Sequence, residues 1–305
     1  MRLLVLLIVL TVVGGDCLAD DTNPLEGDIS AQIESGKLSG QDLANAYFYR
    51  ASVRLLMQDA NAALSDFDQA IAIVPGFAAA HRGRGEALQV LGRGGDAVDA
   101  LTRGIELGPA NDPSGYVLRG GARTAKGDYP EAIADYDKAI ALYPKSWQAY
   151  SGRGIAKAAL NQDDQAINDL DRAIQLDPGT FGETTVDMGK HPLTQEGTPQ
   201  WSNQTTRVAT STAYYIAEAY LARGKIWFKR ERYPQALRDL KQATAKRSRY
   251  GEALIYLGLT DLALGKCTEG LNNLTYGGKA SNTTQEDLLK AHEPFVRKSE
   301  CRGVM

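Results

Sequence analysis

An internal repeat of 34 or 35 residues is the feature that most constrains what this chain can fold into. Prolines recur at intervals of 34, 35 and 34 residues, at Pro75, Pro109, Pro144 and Pro178. Two other series keep the same period, at Ala63, Ala97, Ala132 and Ala166 and at Arg50, Arg84, Arg119 and Arg153. After a gap the phase returns, because Arg223 and Ala236 each lie 70 residues beyond a member of their series. A period of this length indicates stacked repeats rather than one globular core.

Each period predicts two amphipathic helices followed by a stop. Between Asn111 and Pro144, Asp128 can cap the second helix, Pro130 suits its first turn, and Glu131 can complete a capping box. Pro144 cannot continue a helix and therefore ends the unit. We expect helix pairs joined by short turns.

Small residues recur at fixed places in these pairs. Glycine falls at one place in the first helix and alanine at others in the second, at Gly85, Gly120, Gly154, Gly224 and Gly258 and at Ala63, Ala132, Ala139, Ala166, Ala173 and Ala236. A glycine inside a helix costs about 1 kcal/mol of helix propensity. Its recurrence therefore predicts that the paired helix axes approach closely there.

This pattern of an aromatic residue, glycine, alanine, a second aromatic residue or leucine, alanine and proline resembles the tetratricopeptide repeat. Four units at 43–178 match it, and a fifth runs from Ala217 to Ser248. A sixth, from Gly251, departs from it, with Gly270 and Gly277 where alanines belong. The resemblance implies an all-α fold, a right-handed superhelical solenoid of antiparallel helix pairs. It also implies a concave groove, lined by the first helix of each pair, that binds an extended or helical segment of another protein.

The sequence divides into six segments. They are a signal peptide at 1–19, an N-terminal segment at 20–42 with a short helix from Ile29 to Ser35, four repeats at 43–178, an irregular insertion at 179–209, two further repeats at 210–277, and a C-terminal cap and tail at 278–305. Ser39 is expected to cap the first repeat helix. A helical pattern from Thr284 to His292 is expected to cover the apolar face of the last repeat.

The first 19 residues differ from the rest of the chain. Arg2 precedes an apolar run from Leu3 to Val13, and Cys17-Leu18-Ala19 resembles a cleavage site, which predicts a signal peptide cleaved after Ala19. The run spans about 16 Å as a helix, against about 30 Å of bilayer hydrocarbon, so that cleavage is favoured over a retained anchor. A lipid-bearing Cys17 is a third interpretation, and Asp16 just before it counts against this one. The predicted location is the periplasm or cell envelope of a bacterium, with no stable membrane span after cleavage.

Cleavage would leave two cysteines, Cys267 and Cys301. An even number in an exported chain predicts one disulfide, and two free thiols are the alternative. The histidines His81, His191 and His292 lie far apart, so that no metal site is predicted. No cofactor is expected either.

Neither catalysis nor nucleic-acid binding is indicated. The net charge is −3, whereas a nucleic-acid binder is usually basic. The chain has no P-loop, no Gly-x-Ser-x-Gly elbow, and no Gly-x-Gly-x-x-Gly between a strand and a helix. Residues 179–209 have no helical period and predict either a functional loop, anchored by Trp201, or a decayed repeat. An enzyme would need His191 of this insertion to meet an acid, and a module that self-associates through its ends would need an uncapped terminal helix.

The arginines in phase have two interpretations. Carboxylates keep the same period in the second helix, at Asp66, Asp135, Asp169 and Asp239, with Asp99 displaced by one residue in the second unit. The arginines therefore either form a ladder for an anionic ligand or pair with these carboxylates and tie the two helices together. The shared period favours the structural pairing.

Helical phase also predicts which side chains face the partner. They are Phe48, Ser52, Leu55, Arg82, Glu86, Gln89, Val117, Thr124, Gln148, Ser151, Ile155, Leu221, Lys225, Phe228 and Lys229. Some tetratricopeptide domains clamp a C-terminal carboxylate with Lys and Asn at such places. This chain has Phe48, Ser52, Gly83 and Leu118 there, so that no such clamp is expected. The first four units suit an apolar or amphipathic segment. In the fifth, Lys225, Lys229, Arg230 and Arg232 crowd one helix end, either as a solvated basic face or as a surface for an acidic partner.

Overall fold

The structure is a computed structural model that describes residues 24–177, 183–186, 206–209, 212–248, 250–293 and 301. The predicted signal peptide with Cys17, and most of the insertion with His191 and Trp201, lie outside these ranges. Within them, no helix has the length and apolar character needed to cross a membrane.

Fourteen helices and two short strands make up the described part of the chain. The helices are α1 (Pro24–Glu34), α2 (Gly40–Leu56), α3 (Ala60–Ile73), α4 (Ala78–Val90), α5 (Gly94–Leu107), α6 (Ser114–Lys126), α7 (Tyr129–Leu142), α8 (Trp147–Ala159), α9 (Asp163–Leu176), α10 (Thr212–Lys229), α11 (Tyr233–Lys246), α12 (Gly251–Ala263), α13 (Cys267–Ala280) and α14 (Gln285–Ala291). The strands β1 (Glu183–Val186) and β2 (Thr206–Ala209) lie between α9 and α10 in sequence.

The chain forms two compact units. Unit 1 consists of Met1–Tyr143 with Gly179–Ser211, and unit 2 of Pro144–Pro178 with Thr212–Met305. In unit 1 the pairs α2/α3, α4/α5 and α6/α7 pack as hairpins, and in unit 2 the pairs α8/α9, α10/α11 and α12/α13 do the same. Because short turns join the helices of each pair, the two run antiparallel. The fold is all-α and built from helix pairs, as the repeat predicts.

The turn inside each pair has the same backbone conformation in all six pairs. One turn residue has a positive φ, between 57° and 90°, and it is Gln58, Gly92, Gly127, Asn161, Glu231 or Gly265. The next residue donates its N–H to a carbonyl five positions earlier, as Asp128 does to Arg123 at 2.9 Å. This is the Schellman motif, which satisfies carbonyls left free at a helix end.

Glycine and alanine set the distance between paired helices. A Cβ added to Gly154 would lie 2.8 Å from the side chain of Leu170, and overly close contacts also arise at Gly85, Gly120 and Gly224. The six recurrent alanines of the second helices are all 0% exposed. The predicted close approach is therefore confirmed.

The sixth pair packs even more closely. A Cβ on Gly270 would lie 3.0 Å from the carbonyl oxygen of Gly258, and one on Gly277 would lie 3.0 Å from that of Gly251. Glycine faces glycine at both places, so that alanine would force α12 and α13 apart. The departure from the repeat pattern is thus a tighter contact rather than the loss of a helix pair.

Two predicted helix caps are wrong, because their side chains make no capping hydrogen bond. Ser39 and Asp128 hold the N-cap positions of α2 and α7, but neither side chain accepts a capping hydrogen bond. The Asp128 carboxylate instead accepts one from Lys126 Nζ at 2.7 Å. Side chains cap three other helices, at Asp59, Ser146 and Thr284.

A short helix precedes the repeats in sequence and another follows them. In unit 1, α1 includes the predicted helix at Ile29 and is held to α2 by an ion pair between Glu26 and Arg54 at 2.7 Å. In unit 2, α14 packs on α13. Its Leu288 is 8% exposed and joins the apolar cluster of Leu259, Leu262, Leu274 and Cys301.

Two segments of the insertion are strands. Glu183 pairs with Ala209 and Val186 with Thr206 in an antiparallel register. The described part of the insertion is therefore extended chain and not a decayed helix pair.

Candidate functional site

Bidentate ion pairs join the two helices in four of the repeats. Asp66 accepts hydrogen bonds from Nε and Nη2 of Arg50, both at 2.8 Å. The same arrangement recurs in the pairs Arg119–Asp135, Arg153–Asp169 and Arg223–Asp239. These four carboxylate side chains are 4% to 8% exposed. The structural interpretation is confirmed here, and it leaves these guanidinium groups already paired with a carboxylate.

A second cation and an aromatic ring complete most of these pairs. Asp66 also accepts from Arg54 at 2.9 Å, and Asp135 and Asp169 have equivalent partners in Arg123 and Lys157. The Arg50 guanidinium lies 5.4 Å from the centre of the Tyr47 ring, and the same contact is made at Tyr116, Tyr150 and Tyr220. Together these contacts fix the rotation of each first helix against its partner.

The second repeat does not follow this pattern. Arg84 Nε donates to Asp68 Oδ1 of α3 at 2.7 Å, so that its expected pairing with Asp99 is wrong. Ala100 stands one period before Asp135 and is 4% exposed. The buried place that holds a carboxylate elsewhere therefore holds a methyl group here.

In the sixth repeat the acidic group has changed helix. Leu257 and Asn273 stand one period after Arg223 and Asp239. The Asn273 amide donates to Asp261 Oδ2 at 3.0 Å, and burial raises the pKa of Asp261. An amide at position 273 avoids the repulsion that a second buried carboxylate would cause.

The first helices of unit 1 lie side by side, because α4 contacts both α2 and α6. We call the predicted partner-facing positions on them, together with the intervening Gly121, the first-helix row: Phe48, Ser52, Leu55, Arg82, Glu86, Gln89, Val117, Gly121 and Thr124. All of them except Arg82 keep part of their surface exposed. The row therefore offers a mixed apolar and polar surface.

Phe48 has a structural role as well. Its ring lies 5.8 Å from that of Phe67 and 5.2 Å from that of Phe77. This aromatic cluster packs on the core between α2, α3 and α4. Only the remaining exposed edge of Phe48 is available to a partner.

Arg82 and Ser151 were expected on the partner-facing surface, and both are buried. The Arg82 side chain is 8% exposed and its Nη1 lies 3.1 Å from Asp112 Oδ2. A Cβ on Gly104 would lie 2.7 Å from Arg82 Cγ, which shows that glycine makes room for the arginine. Ser151 is 4% exposed. Arg82 therefore ties α4 to the segment after α5, and the glycines at 104 and 108 were the sequence signal for it.

Glu86 and Gln89 remain on the surface of the row, one helical turn apart. Both are partly exposed. Within the described residues, neither side chain makes a hydrogen bond or an ion pair. Burial raises the pKa of Glu86 to about 7, and the charge of Arg82 acts in the opposite direction. Sequence phase predicted Glu86 on this surface, where it is partly exposed, but could not show that it lacks a partner in the described chain.

In unit 2 the predicted basic cluster is largely paired with acids. Lys225 Nζ lies 2.6 Å from Glu252, and Lys229 Nζ lies 3.2 Å from Asp163. Arg230 binds Asp164 at 2.8 Å and also contacts Asp163. These acids begin α9 or lie in the first turn of α12, so that the cations join neighbouring repeats. Most of the positive charge of these side chains is therefore paired with acids of the same unit.

The other predicted positions of unit 2 differ in exposure. Gln148 is exposed and Ile155 is partly exposed, whereas Leu221 is 4% exposed and belongs to the core. Phe228 packs edge-on against Tyr233 and Tyr256, at 5.7 and 5.6 Å. In the ranges that the structure covers, no three His, Cys, Asp or Glu side chains are grouped so that they could hold a metal ion.

Comparison with known families identifies the repeat. A family model described as "Tetratricopeptide repeat" matches residues 44–112, and one described as "TPR repeat" matches residues 120–161. A search of the curated proteins found no match.

Several solved structures are similar to this chain in fold. A chain of the APC/C hetero-tetramer Cut9–Hcn1 is 17% identical with a TM-score of 0.68, over 87% of this chain and 45% of that one. A tetratricopeptide repeat protein from Parabacteroides merdae is 14% identical with a TM-score of 0.60, over 87% and 90% of the two chains. PilW, described as a type IV pilus biogenesis factor, is 16% identical with a TM-score of 0.57, over 84% and 97%. At these identities the likeness concerns the fold.

Proposed function

Because this chain is a tetratricopeptide repeat protein, we propose that it is a non-catalytic scaffold that binds an extended or helical segment of another protein. The observation that carries the proposal is the first-helix row of unit 1. Three neighbouring helices present apolar, hydroxyl, amide and carboxylate groups side by side, and Glu86 and Gln89 among them have unused hydrogen-bonding capacity in the described chain. Such a surface is suited to a segment with alternating apolar and polar side chains.

Gly121 offers a way to block this surface without disturbing the core. A Cβ at this position would lie 3.7 Å from Gln89 Nε2 and 4.0 Å from Tyr136 Oη, which are ordinary contacts. Gly121→Arg should therefore fold and cover part of the row. Gly95→Arg is the matched control, since Gly95 is exposed on α5 with nothing within 4 Å of its Cβ position.

The test is affinity purification of the protein from its native cell envelope. Partners are identified by mass spectrometry for the wild type and both variants. A partner that is retained by wild type and Gly95→Arg and lost with Gly121→Arg supports the proposal. Equal recovery with both variants would contradict it.

The site of action that we propose is the periplasm or cell envelope. The proposal rests on the sequence of the N-terminal 19 residues, with their charged start, apolar run and small-residue end. PilW, which shares the fold, is described as a pilus biogenesis factor. The intact mass of the protein isolated from cells should correspond to a chain that starts at Asp20. A mass that includes residues 1–19, or a lipid on Cys17, would contradict cleavage after Ala19.

We also propose that Cys267 and Cys301 form a disulfide in the oxidised protein. Their Cα atoms lie 5.4 Å apart, within the range that a disulfide requires. Cys301 is 0% exposed among leucines of α12, α13 and α14. Closing a loop with a sequence separation of 34 residues would stabilise the fold by roughly 3–4 kcal/mol on the chain-entropy model. Both cysteines should resist alkylation in unfolded, unreduced protein, and labelling of either without reductant would contradict the bond.

A further inference from the structure

Glu86 is a carboxylate for which the described part of the fold provides no direct partner. Arg82 lies one helical turn before it, but the Arg82 guanidinium is held by Asp112. Other carboxylates in the repeats of unit 1, such as Asp66 and Asp135, are each bound by two cations. Partial burial of a carboxylate without such a partner is unfavourable, and a ligand that supplies a cation would reduce this cost.

A notch on the first-helix row lies beside Gln89, which is one helical turn from Glu86. Gly121 stands one period after Glu86 and occupies the equivalent place on α6. Its missing side chain leaves a space whose edge is formed by the amide of Gln89 and the hydroxyl of Tyr136. The Tyr136 hydroxyl lies 3.3 Å from Thr124 Oγ1. The Gln89 atom nearest this space is Nε2, a hydrogen-bond donor. The acceptors that suit an ammonium or a guanidinium group are the Tyr136 hydroxyl and Oε1 of the same Gln89 amide.

We propose that Glu86, with Gln89 beside it, recognises a lysine or arginine side chain of the segment that binds to the first-helix row. The inference rests on the proposed function and names the chemistry of its partner. Charge complementarity decides the occupant, because a bare carboxylate attracts a cation and disfavours an acidic or C-terminal group. Unit 1, which we expect to bind an amphipathic segment, therefore requires a basic residue in that segment.

Glu86 also makes binding depend on pH. The pKa of Glu86 lies at about 7 because of burial, so that the free protein is partly protonated there at neutral pH. The cationic groups near α4 are engaged by other acids: Arg50 and Arg54 bind Asp66, Arg84 binds Asp68, Arg93 binds Asp96, Arg103 binds Glu106, Arg119 and Arg123 bind Asp135, and Lys126 binds Asp128. Asp42 of α2 and Asp99 of α5 are the further acids of these helices. A cation bound at Glu86 favours the ionised form, so affinity should rise as Glu86 loses its proton.

The test uses isothermal titration calorimetry with the full mature chain and a decalysine peptide at one fixed ionic strength. We expect Glu86→Gln to weaken binding at pH 8 by about tenfold, a loss on the order of 1.4 kcal/mol. Glu131→Gln is the matched control, because Glu131 is an exposed acid of unit 1 and the variant has the same change in net charge. It should stay within about twofold of wild type, as expected for an exposed charge.

The pH dependence separates recognition from a structural effect. Wild-type affinity should increase about five- to tenfold from pH 6 to pH 8, and Glu86→Gln should abolish this increase. Equal affinities of the Glu86→Gln and Glu131→Gln variants, a pH dependence that survives in Glu86→Gln, or no binding of decalysine to wild type would each overturn the inference. If Gly121→Arg still releases a native partner in any of these cases, the proposed function stands and only the basic specificity falls.

Discussion

At the scale of single residues, the interaction that recurs most regularly is the ion pair between the two helices of one repeat. Asp135 accepts from Arg119 at 2.6 and 3.0 Å and from Arg123 at 2.7 Å. Its side chain is 4% exposed. Removing its charge would leave two arginines with little compensation and poor access to water.

We therefore predict that Asp135→Asn lowers the free energy of unfolding by about 2–3 kcal/mol. Asp128→Asn removes a surface pair with Lys126, whose two side chains are 38% and 49% exposed, and should cost less than about 1 kcal/mol. Urea denaturation of both variants measures the difference. Equal midpoints would show that the recurrent pair contributes no more than a surface contact.

Glu86 predicts a pH-dependent stability of the free protein. Its pKa is raised from 4.5 to about 7 on folding, so the fold binds a proton that the unfolded chain releases in this interval. Stability from this group is therefore greatest below about pH 4.5 and is lost as pH rises through about 7. Glu86→Gln removes the penalty and should stabilise the protein by about 1–2 kcal/mol at pH 8, with allowance for its partial exposure.

Thermal midpoints of wild type and Glu86→Gln at pH 5 and pH 8 check this. The variant should gain at pH 8 and differ little at pH 5. A gain of the same size at both pH values would show that the effect does not come from ionisation of Glu86.

The sequence predicted the ion pairs inside four of the repeats and missed contacts that depend on the packing between elements. Arg50, Arg119, Arg153 and Arg223 were paired correctly because a shared period places both partners in every unit. Arg82 was assigned to the surface because helical phase alone cannot show that Gly104 and Gly108 open a space for it. Asp68 was missed as the partner of Arg84, although equivalent contacts recur between Arg119 and Thr102 and between Arg223 and Asp171.

At the scale of elements, the turn inside each pair requires one residue in the left-handed backbone region. Glycine meets this requirement in three pairs, but Glu231 adopts it with φ 57°. A residue with a Cβ pays roughly 1–2 kcal/mol for this conformation. Glycine would avoid this strain, but part of the gain is offset because glycine has greater conformational freedom in the unfolded chain.

We predict that Glu231→Gly stabilises the protein by about 0.5–1 kcal/mol. Glu231→Ala removes the same charge and retains a Cβ, so it should change the stability little. The measured quantity is the difference in urea midpoint between the two variants. A difference near zero would indicate that the turn carries no backbone strain at this residue.

Helices were predicted more reliably than the groups that end them. Prolines at 75, 109 and 144 follow the ends of α3, α5 and α7 as expected. The predicted caps at Ser39 and Asp128 are wrong because neither side chain accepts a hydrogen bond from the helix. The Asp128 carboxylate binds the neighbouring Lys126 instead. In the sixth pair, the sequence departs from the repeat pattern because glycine replaces alanine, and glycine on both helices allows a closer contact.

At the scale of the whole molecule, the helix pairs form two compact units, and each has its own set of adjacent first helices. Unit 1 carries the unpaired acceptors Glu86 and Gln89 of the described chain, whereas the basic side chains of the fifth repeat are tied to Asp163, Asp164 and Glu252 in unit 2. The sequence showed that basic residues cluster there. It did not show that acidic residues pair with them, because these acids come from neighbouring repeats. An acidic partner for unit 2 is therefore less favoured than a basic segment on unit 1.

The most direct measurement of partner binding uses site-specific photo-cross-linking in cells that express the protein natively. A benzoylphenylalanine is placed at Gly121 on the first-helix row or, as a control, at Gly95 on α5. Binding across the row predicts a cross-linked adduct with a defined protein at position 121 and none with it at position 95. No adduct at 121, or the same adducts at both positions, would contradict the claim that the first-helix row binds another protein.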